Sequence, residues 1–381
     1  MSPTIYLDYN ATTPLDSGAR EAMLPYMDVI WGNPSSIHQV GRKARARLDE
    51  ARERSAEVLG AKPSEVVFTS GGTEANNLAI LGVARLKKPQ GRHLITSSIE
   101  HHAVLHCFDH LEKNEGFEVT RLGVDREGRV DPEVLRRSLR DDTVLVSIMA
   151  ANNEIGTLQP VAELGRICRE RGILFHTDAV QYFGKEPFSG VNAFAADLVS
   201  LCGHKFYGPK GAGLLWIRSP LHPEPLLWGG PHENERRAGT ENLAGIQGLV
   251  WSMEHFVRTP VFDRVKMEIL GSKLITGLMQ LPGCEVISPL QNCLKNTVAM
   301  VGTGFQGMNL LAALDVAGIC ASSGSACSAG SLTPSHVVEA LGRPESADSL
   351  VRFSMGRETT ETEIDRVLGI LPSILDRLHP C

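Results

Sequence analysis

Short apolar runs rich in β-branched residues alternate with amphipathic segments from about residue 65 to residue 217. The runs predict strands over 66–69, 93–96, 119–122, 144–149, 173–176, 198–201 and 213–217. Two intervening segments, 73–86 and 161–171, place apolar residues at helical spacing and predict helices. This alternation indicates an α/β fold with a mostly parallel sheet flanked by helices. In such folds, functional sites lie in the loops beyond the carboxyl ends of the strands.

The pattern changes after Trp251 to helix-rich segments with shorter β runs, which end in a predicted helix over 361–378. Because 381 residues exceed one ordinary hydrophobic core, we expect two domains. The larger one is predicted to span 14–255, and a smaller α+β domain to combine 1–13 with 256–381. Residues 321–331 are almost all small and cannot form a core, which predicts a mobile loop over about 321–333.

The composition narrows the functional class. The chain is 42% hydrophobic and 22% charged, as a globular protein is, and its net charge of -6 argues against general nucleic-acid binding. It has no apolar run near the roughly 20 residues of a membrane-spanning helix, and no secretory signal is evident at its start. Its eight cysteines include no C-x-x-C pair, so we expect reduced thiols and a cytoplasmic location.

Three predicted strands end in residues suited to one cofactor. The first leads into Gly71-Gly72-Thr73, where helix N–H groups suit a phosphate, although a plain turn capped by Thr73 fits about equally well. Asp178 follows another strand, where it either caps a helix or keeps a proton on the ring nitrogen of pyridoxal phosphate. Lys205 lies in a glycine-rich turn after a third strand, which suits a Schiff-base lysine. Together they indicate pyridoxal phosphate, and no nucleotide-binding G-x-x-x-x-G-K-[ST] string occurs.

Two further residue types carry candidate chemistry. His101 follows a predicted strand and could stack on a cofactor ring, while His106 and His110 lie one helical turn apart. A metal site would need a third ligand that is not evident, so we favour solvated helix histidines for the latter two. Cys327 lies in the small-residue loop that cannot bury it, which favours a nucleophile that reaches into a site and out again.

These motifs extend almost from end to end of the chain, and with them it resembles the NifS-type cysteine desulfurases. Those proteins are fold-type I pyridoxal-phosphate enzymes of the class-V aminotransferase superfamily. The motifs are Tyr6-Leu-Asp-Tyr-Asn-Ala-Thr-Thr-Pro14, Gly32-Asn-Pro-Ser-Ser-Ile-His38, Phe68-Thr-Ser-Gly-Gly-Thr-Glu-Ala-Asn-Asn77, Ala151-Asn-Asn-Glu-Ile-Gly-Thr157, His176-Thr-Asp-Ala-Val-Gln181, Gly203-His-Lys-Phe-Tyr-Gly-Pro-Lys-Gly211, Arg237-Ala-Gly-Thr-Glu-Asn242, Ser322-Ser-Gly-Ser-Ala-Cys-Ser328 and Arg352-Phe-Ser354.

The resemblance implies roles around the cofactor. Lys205 would bind pyridoxal 5'-phosphate covalently, Asp178 would pair with the pyridine nitrogen, and His101 would stack on the ring. The remaining cofactor contacts would come from Gly72, Thr73, Asn153, Gln181, Cys202, His204 and Thr240. Relatives usually carry serine at the position of Cys202, and a thiol is a weaker hydrogen-bond donor to a phosphate. Thr240 resembles the residue that a second subunit contributes, which predicts a homodimer.

The resemblance also implies the reaction. L-cysteine would bind with its carboxylate on Arg352 and Asn153, in a pocket also lined by Asn33. Lys205 or His101 would move protons, and the Cys327 thiolate would take the sulfur as a persulfide, which leaves L-alanine. The sulfur would then pass to an acceptor, commonly an iron–sulfur scaffold protein in relatives.

Four alternatives stay open at this stage. A selenocysteine lyase would share the fold and cofactor, and a pyridoxal aminotransferase would have no need of Cys327. A non-catalytic scaffold of the same fold would not need Lys205, Asp178 and Cys327 together. A cysteine hydrolase would require a histidine positioned by Cys327, for which His336 is the candidate.

Overall fold

The computed structural model describes residues 4–324 and 334–378. After a short first strand, β1 (Ile5–Tyr6), the described chain forms a seven-stranded sheet in the order β2-β8-β7-β6-β5-β3-β4. Its strands are β2 (Val66–Thr69), β3 (His93–Ser97), β4 (Glu118–Leu122), β5 (Thr143–Ser147), β6 (Leu174–Asp178), β7 (Leu198–Cys202) and β8 (Gly213–Ile217). Six of these strands run in one direction, and β8 runs in the opposite direction between β2 and β7. The predicted α/β fold with a mostly parallel sheet is confirmed.

Helices pack on both faces of this sheet, so its central strands are buried on both sides. Successive residues of β5 belong to different cores: Leu145 packs among helix residues such as Leu78 and Phe108, whereas Val146 packs with Leu48 and Leu249 on the other face. The covering helices are α1 (Ser17–Met23), α2 (Pro25–Asp28), α3 (Gln39–Leu59), α4 (Gly72–Lys87), α5 (His102–Glu115), α6 (Pro132–Ser138), α7 (Val161–Glu170) and α8 (Leu243–Phe256).

A separate core forms from the later part of the chain. Its members include Met267, Met300, Phe353 and Ile364, and it takes in Leu7 from the N-terminal segment. The elements here are α9 (Arg264–Leu278), β9 (Cys284–Val286), β10 (Thr297–Gly302), α10 (Gly307–Val316), β11 (Ile319–Cys320), α11 (His336–Ala340), β12 (Val351–Ser354) and α12 (Glu361–Leu378). Strands β12-β10-β9 form an antiparallel sheet, and β1 pairs with β11. The domain boundaries near 14 and 255 stay predictions.

The direction of the strands brings three loops to one edge of the large sheet. Both β2 and β7 are antiparallel to β8, so they are parallel to each other and to β6. Their carboxyl ends therefore meet at one edge, where β8 begins at Gly213. A Cβ atom on Gly213 would lie 2.7 Å from the Gly71 Cα, so the close approach of these two chains requires glycine.

Candidate active site

A cavity of about 160 Å³ lies at this edge of the sheet. Most of the residues expected to bind the cofactor or substrate line it, together with Asn10, Ala11 and Asn76, which the sequence analysis missed. The predicted residues brought together are Gly72, Thr73, His101, Asn153, Asp178, Gln181, Cys202, His204, Lys205 and Arg352. Residues from the carboxyl edge of the large sheet therefore meet Arg352 of β12 in one cavity.

Lys205 lies on the short turn Gly203–Lys205 that follows β7 directly. Its amine donates to two backbone carbonyls of the N-terminal segment, Asn10 O at 2.8 Å and Ala11 O at 2.9 Å. The following residues Phe206 and Tyr207 are fully buried, so the turn is fixed and the amine can be presented to the cavity without a flexible backbone. A half-buried amine of this kind is suited to nucleophilic attack on a carbonyl.

Asp178 is the last residue of β6, and its side chain is buried at the cavity wall. One carboxylate oxygen accepts from Asn76 Nδ2 at 2.6 Å and the other from the Val180 backbone N–H at 2.9 Å. Burial raises the pKa of Asp178, while these two donors and the nearby Lys205 oppose that rise. A cation placed against this carboxylate would offset the free-energy cost of burying its negative charge. Asn76 could have been suspected as a polar residue on the apolar face of α4.

The start of α4 forms an anion cradle. Gly72 is the first residue of the helix, and a Cβ atom there would lie 2.7 Å from Val180 Cγ2, so only glycine fits. Free N–H groups at the start of a helix of 16 residues favour a phosphate. Cys202 also lies here, and burial raises the pKa of its thiol, while the nearby Gly72 and His204 backbone N–H groups and Lys205 oppose that rise.

His101 caps α5, because its Nδ1 accepts from the Ala103 backbone N–H at 3.1 Å. Burial, and then the charges of Lys205 and neighbouring histidines, lower the pKa of His101 to about 4. The ring is therefore neutral at neutral pH, with its proton on Nε2. Burial likewise lowers the pKa of His204 to about 3. No group of metal-ligating side chains occurs within 4–324 and 334–378.

Arg352 lies on β12 of the small antiparallel sheet and reaches the cavity from there, and its side chain is almost fully buried. Its guanidinium donates to Asp8 Oδ1 at 2.6 Å, to the Asn153 carbonyl at 2.9 Å and to the Gly324 carbonyl. Its Nε has no hydrogen-bond partner in the part of the chain that the structure describes. A planar donor set at a cavity wall is suited to a carboxylate. Asp8 was missed because nothing in the sequence pattern links it to Arg352.

Three predicted site residues do not line the cavity. Asn33 is exposed, and its side chain accepts from the Ser35 backbone N–H at 2.9 Å. Thr240 is also exposed, and it follows Arg237, whose Nε lies 2.7 Å from Glu74 Oε1. Cys327, with most of the predicted loop 321–333, lies outside the described residues.

Comparison with known proteins defines the class of this protein. A family model described as aminotransferase class-V matches residues 5–367, and the chain belongs to this family. A cysteine desulfurase IscS from Methanosarcina thermophila is 47% identical over 98% of this chain and 93% of its own length. Another, from Dictyoglomus turgidum, is 46% identical over 100% of this chain and 96% of its own length.

Solved structures agree with the sequence relatives. A structure described as a NifS-like protein superimposes with a TM-score of 0.91 at 38% identity, covering 98% of this chain and 100% of its own. A structure described as SspA in complex with cysteine gives 0.82 at 37% identity, covering 94% of this chain and all of its own. The resemblance to NifS-type cysteine desulfurases is confirmed.

Proposed function

We propose that this protein is a pyridoxal-phosphate-dependent cysteine desulfurase that converts L-cysteine to L-alanine and transfers the sulfur to Cys327. The observation that carries the proposal is the convergence of Lys205, Asp178 and Arg352 on one cavity. Lys205 supplies an amine for the carbonyl of the cofactor, and Asp178 supplies a buried carboxylate for the protonated ring nitrogen of the cofactor. Arg352 supplies a planar guanidinium for the carboxylate of the substrate. Asp178 ends β6, Lys205 follows β7 and Arg352 lies on β12, so elements of two different sheets supply them.

The residues present fit pyridoxal phosphate. Asp178 is a buried carboxylate without an ion-pair partner among the described residues, and it lines the same cavity as Gly72 and Thr73 at the start of α4, where the phosphate would bind. Lys205 would link the cofactor covalently, and His101, His204, Asn153 and Gln181 would complete its surroundings. When bound, the cofactor withdraws electrons from the Cα of the substrate.

The chain's own groups bind the substrate and move its protons. Arg352 would bind the substrate carboxylate, for which it must exchange one of its present oxygen partners, Asp8 or Gly324. The amine of Lys205 would take the Cα proton, since it is held inside the cavity by two carbonyls. His101 is neutral and its Nδ1 is occupied by the Ala103 N–H, so its Nε2–H would act as a hydrogen-bond donor to a group in the cavity.

The sulfur of the substrate would be transferred to Cys327. Its thiolate forms an S–S bond with the substrate sulfur while the Cβ–S bond breaks, and the electron pair of that bond stays with carbon. The carbon then takes a proton, so the products are alanine and a persulfide on Cys327. We propose a sulfur-acceptor protein, such as an iron–sulfur scaffold, as the next carrier.

We also propose a homodimer, on the basis of an exposed apolar surface. Trp228 is 82% exposed and Trp31 69% exposed, and their segments meet where Ser35 Oγ lies 3.2 Å from His232 Nε2. Thr240 follows the second segment and would reach the partner's cavity. Large exposed apolar side chains in neighbouring segments are typical of an interface. We expect a dimer by light scattering, and a fully active monomer would contradict this proposal.

No helix within the described ranges is long and apolar enough to span a membrane. The cytoplasmic location stays a prediction based on the cysteine pattern.

The test is to supply L-cysteine to the purified holoenzyme and quantify alanine together with protein-bound persulfide. The Cys327→Ala variant should lose both products, whereas Cys320→Ala, a matched change on β11, should keep them. The Lys205→Ala variant should lose the visible absorption of the bound cofactor. Alanine formation that does not depend on Cys327 would refute the proposed sulfur transfer, and selenocysteine would then be tried as substrate.

A further inference from the structure

A second lysine lies behind the cavity and takes no part in the proposed chemistry. Lys185 is 3% exposed, and its amine donates to Asn10 Oδ1 at 2.7 Å and to Gln181 Oε1. Lys185 does not line the cavity, but both of its partners do. A buried lysine is costly to keep, so its contacts should matter for something besides packing.

The surroundings of Lys185 offer it no counter-charge. Within the described residues, no carboxylate lies within ion-pair distance of its amine, and the adjacent Glu186 pairs instead with Arg264 at 3.0 Å. Burial, and then the charges of Lys205 and Arg352, lower the pKa of Lys185 well below its ordinary value. Two neutral amide oxygens therefore satisfy this amine, which makes it a hydrogen-bond donor and not half of an ion pair.

These contacts fix the orientation of two amide side chains. The Gln181 NH₂ group donates to the Asn10 backbone carbonyl at 2.9 Å, and a carbonyl only accepts. The Gln181 atom that faces Lys185 is therefore its oxygen, which accepts from the Lys185 amine. The Asn10 side chain is fixed similarly: its oxygen faces Lys185, and its NH₂ group donates to Thr297 Oγ1 at 2.8 Å.

The fixed amides in turn hold the cofactor-linking lysine. The Asn10 carbonyl that accepts from Gln181 also accepts from the Lys205 amine at 2.8 Å. We propose that Lys185 is a positioning residue, which directs the Gln181 NH₂ group toward the cavity and, together with Ser354 and Thr297, keeps the Asn10 carbonyl in place for Lys205. This inference rests on the proposed function, because it assigns Gln181 to the side of the cofactor that carries the phenolic oxygen.

The measurement is a pH titration of the visible absorption of the holoenzyme. A donor from Gln181 to the phenolic oxygen stabilises its negative charge, which makes it easier for the nitrogen that joins Lys205 to the cofactor to lose its proton. Lys185→Met keeps the length of the side chain and removes the donor. We therefore expect that nitrogen to lose its proton about one pH unit higher than in the wild type. Lys210→Met, an exposed lysine in the same region, should leave the curve unchanged.

A double-mutant cycle separates positioning from a general structural effect. Gln181→Ala should shift the titration by itself, and adding Lys185→Met should then shift it little further, because both changes remove one interaction. If Lys185→Met does not fold, Lys185→Gln keeps an uncharged donor and should give a smaller shift in the same direction. A folded variant whose titration matches the wild type, or additive shifts in the cycle, would overturn the inference. Failure of the proposed function is distinguishable, because the wild type would then show no Lys205-dependent absorption.

Discussion

Replacing Cys202 with serine tests whether the cradle at the start of α4 holds the cofactor phosphate. The Cys202 side chain is buried beside Gly72 at the start of α4. Among the described residues, the Cys202 thiol donates only one long hydrogen bond, 3.9 Å from its sulfur to the Ala212 carbonyl. A thiol is a weak donor, whereas a serine hydroxyl would give a phosphate oxygen an additional full hydrogen bond.

The expected change in cofactor affinity follows from the free energy that one hydrogen bond contributes. A typical intramolecular hydrogen bond contributes about 1 kcal/mol net, and about 1.4 kcal/mol corresponds to a tenfold change in an equilibrium constant. We therefore expect Cys202→Ser to lower the dissociation constant of pyridoxal phosphate about fivefold. The backbone needs no rearrangement, because serine is smaller than cysteine.

The assay is titration of the apoenzyme with pyridoxal phosphate, followed by the appearance of the visible absorption band. Cys202→Ala is the matched control, since it removes the sulfur without adding a hydroxyl, and it should bind the cofactor no more tightly than the wild type. Equal dissociation constants for Cys202→Ser and Cys202→Ala would refute the reasoning, because the hydroxyl would then make no contact with the phosphate.

Three further outcomes are expected. Glu233→Gln leaves the Arg52 guanidinium, which now pairs with Glu233 at 2.6 Å, buried without an anion; the free energy of unfolding in urea should fall by about 3 kcal/mol, and an unchanged value would contradict this. Arg352→Lys loses the planar fork, so KM for L-cysteine should rise about tenfold while the cofactor absorption stays unchanged; an unaltered KM would exclude Arg352 from substrate binding. The pKa values of His176 and His204 are about 3 in the folded protein, so the contribution of each to stability is full above pH 6.5 and falls by about 1.4 kcal/mol for each pH unit between 6.5 and 3; an NMR titration that finds either ring half-protonated near pH 6.5 would be contrary to this.

The strands of the large sheet could be predicted because burial on both faces leaves a nearly continuous apolar run. The boundaries were less accurate where polar residues are buried. The strand predicted over 173–176 extends as Leu174–Asp178, because His176 is satisfied inside the sheet by Ser147 at 2.8 Å and Ser200 at 2.9 Å. Conversely, the strand predicted over 144–149 ends at Ser147, because the apolar run continues into the loop where Met149 lines the cavity.

The cofactor residues at strand ends could be proposed from the sequence, but the residues that hold them could not. Lys205, Asp178 and Gly72 each follow a recognisable strand or begin a helix. Asn10 contacts Lys205 across 195 positions of sequence, and no periodicity or local spacing indicates such a contact. Lys185 is a similar case, since a lysine in a loop is ordinarily exposed.

The position of Asn10 explains why the site needs both the large sheet with its flanking cores and the second core, which the later part of the chain forms. Its backbone N–H donates to Ser354 Oγ on β12 at 2.9 Å, and its side chain donates to Thr297 on β10 at 2.8 Å, so the second core fixes where this residue lies. Its carbonyl accepts from Lys205 and Gln181, which lie just after strands β7 and β6 of the large sheet. A shift of one core relative to the other would therefore move the carbonyl away from the Lys205 amine. Because Arg352 lies on the same strand as Ser354, that shift would also separate the expected substrate carboxylate from the cofactor-linking lysine.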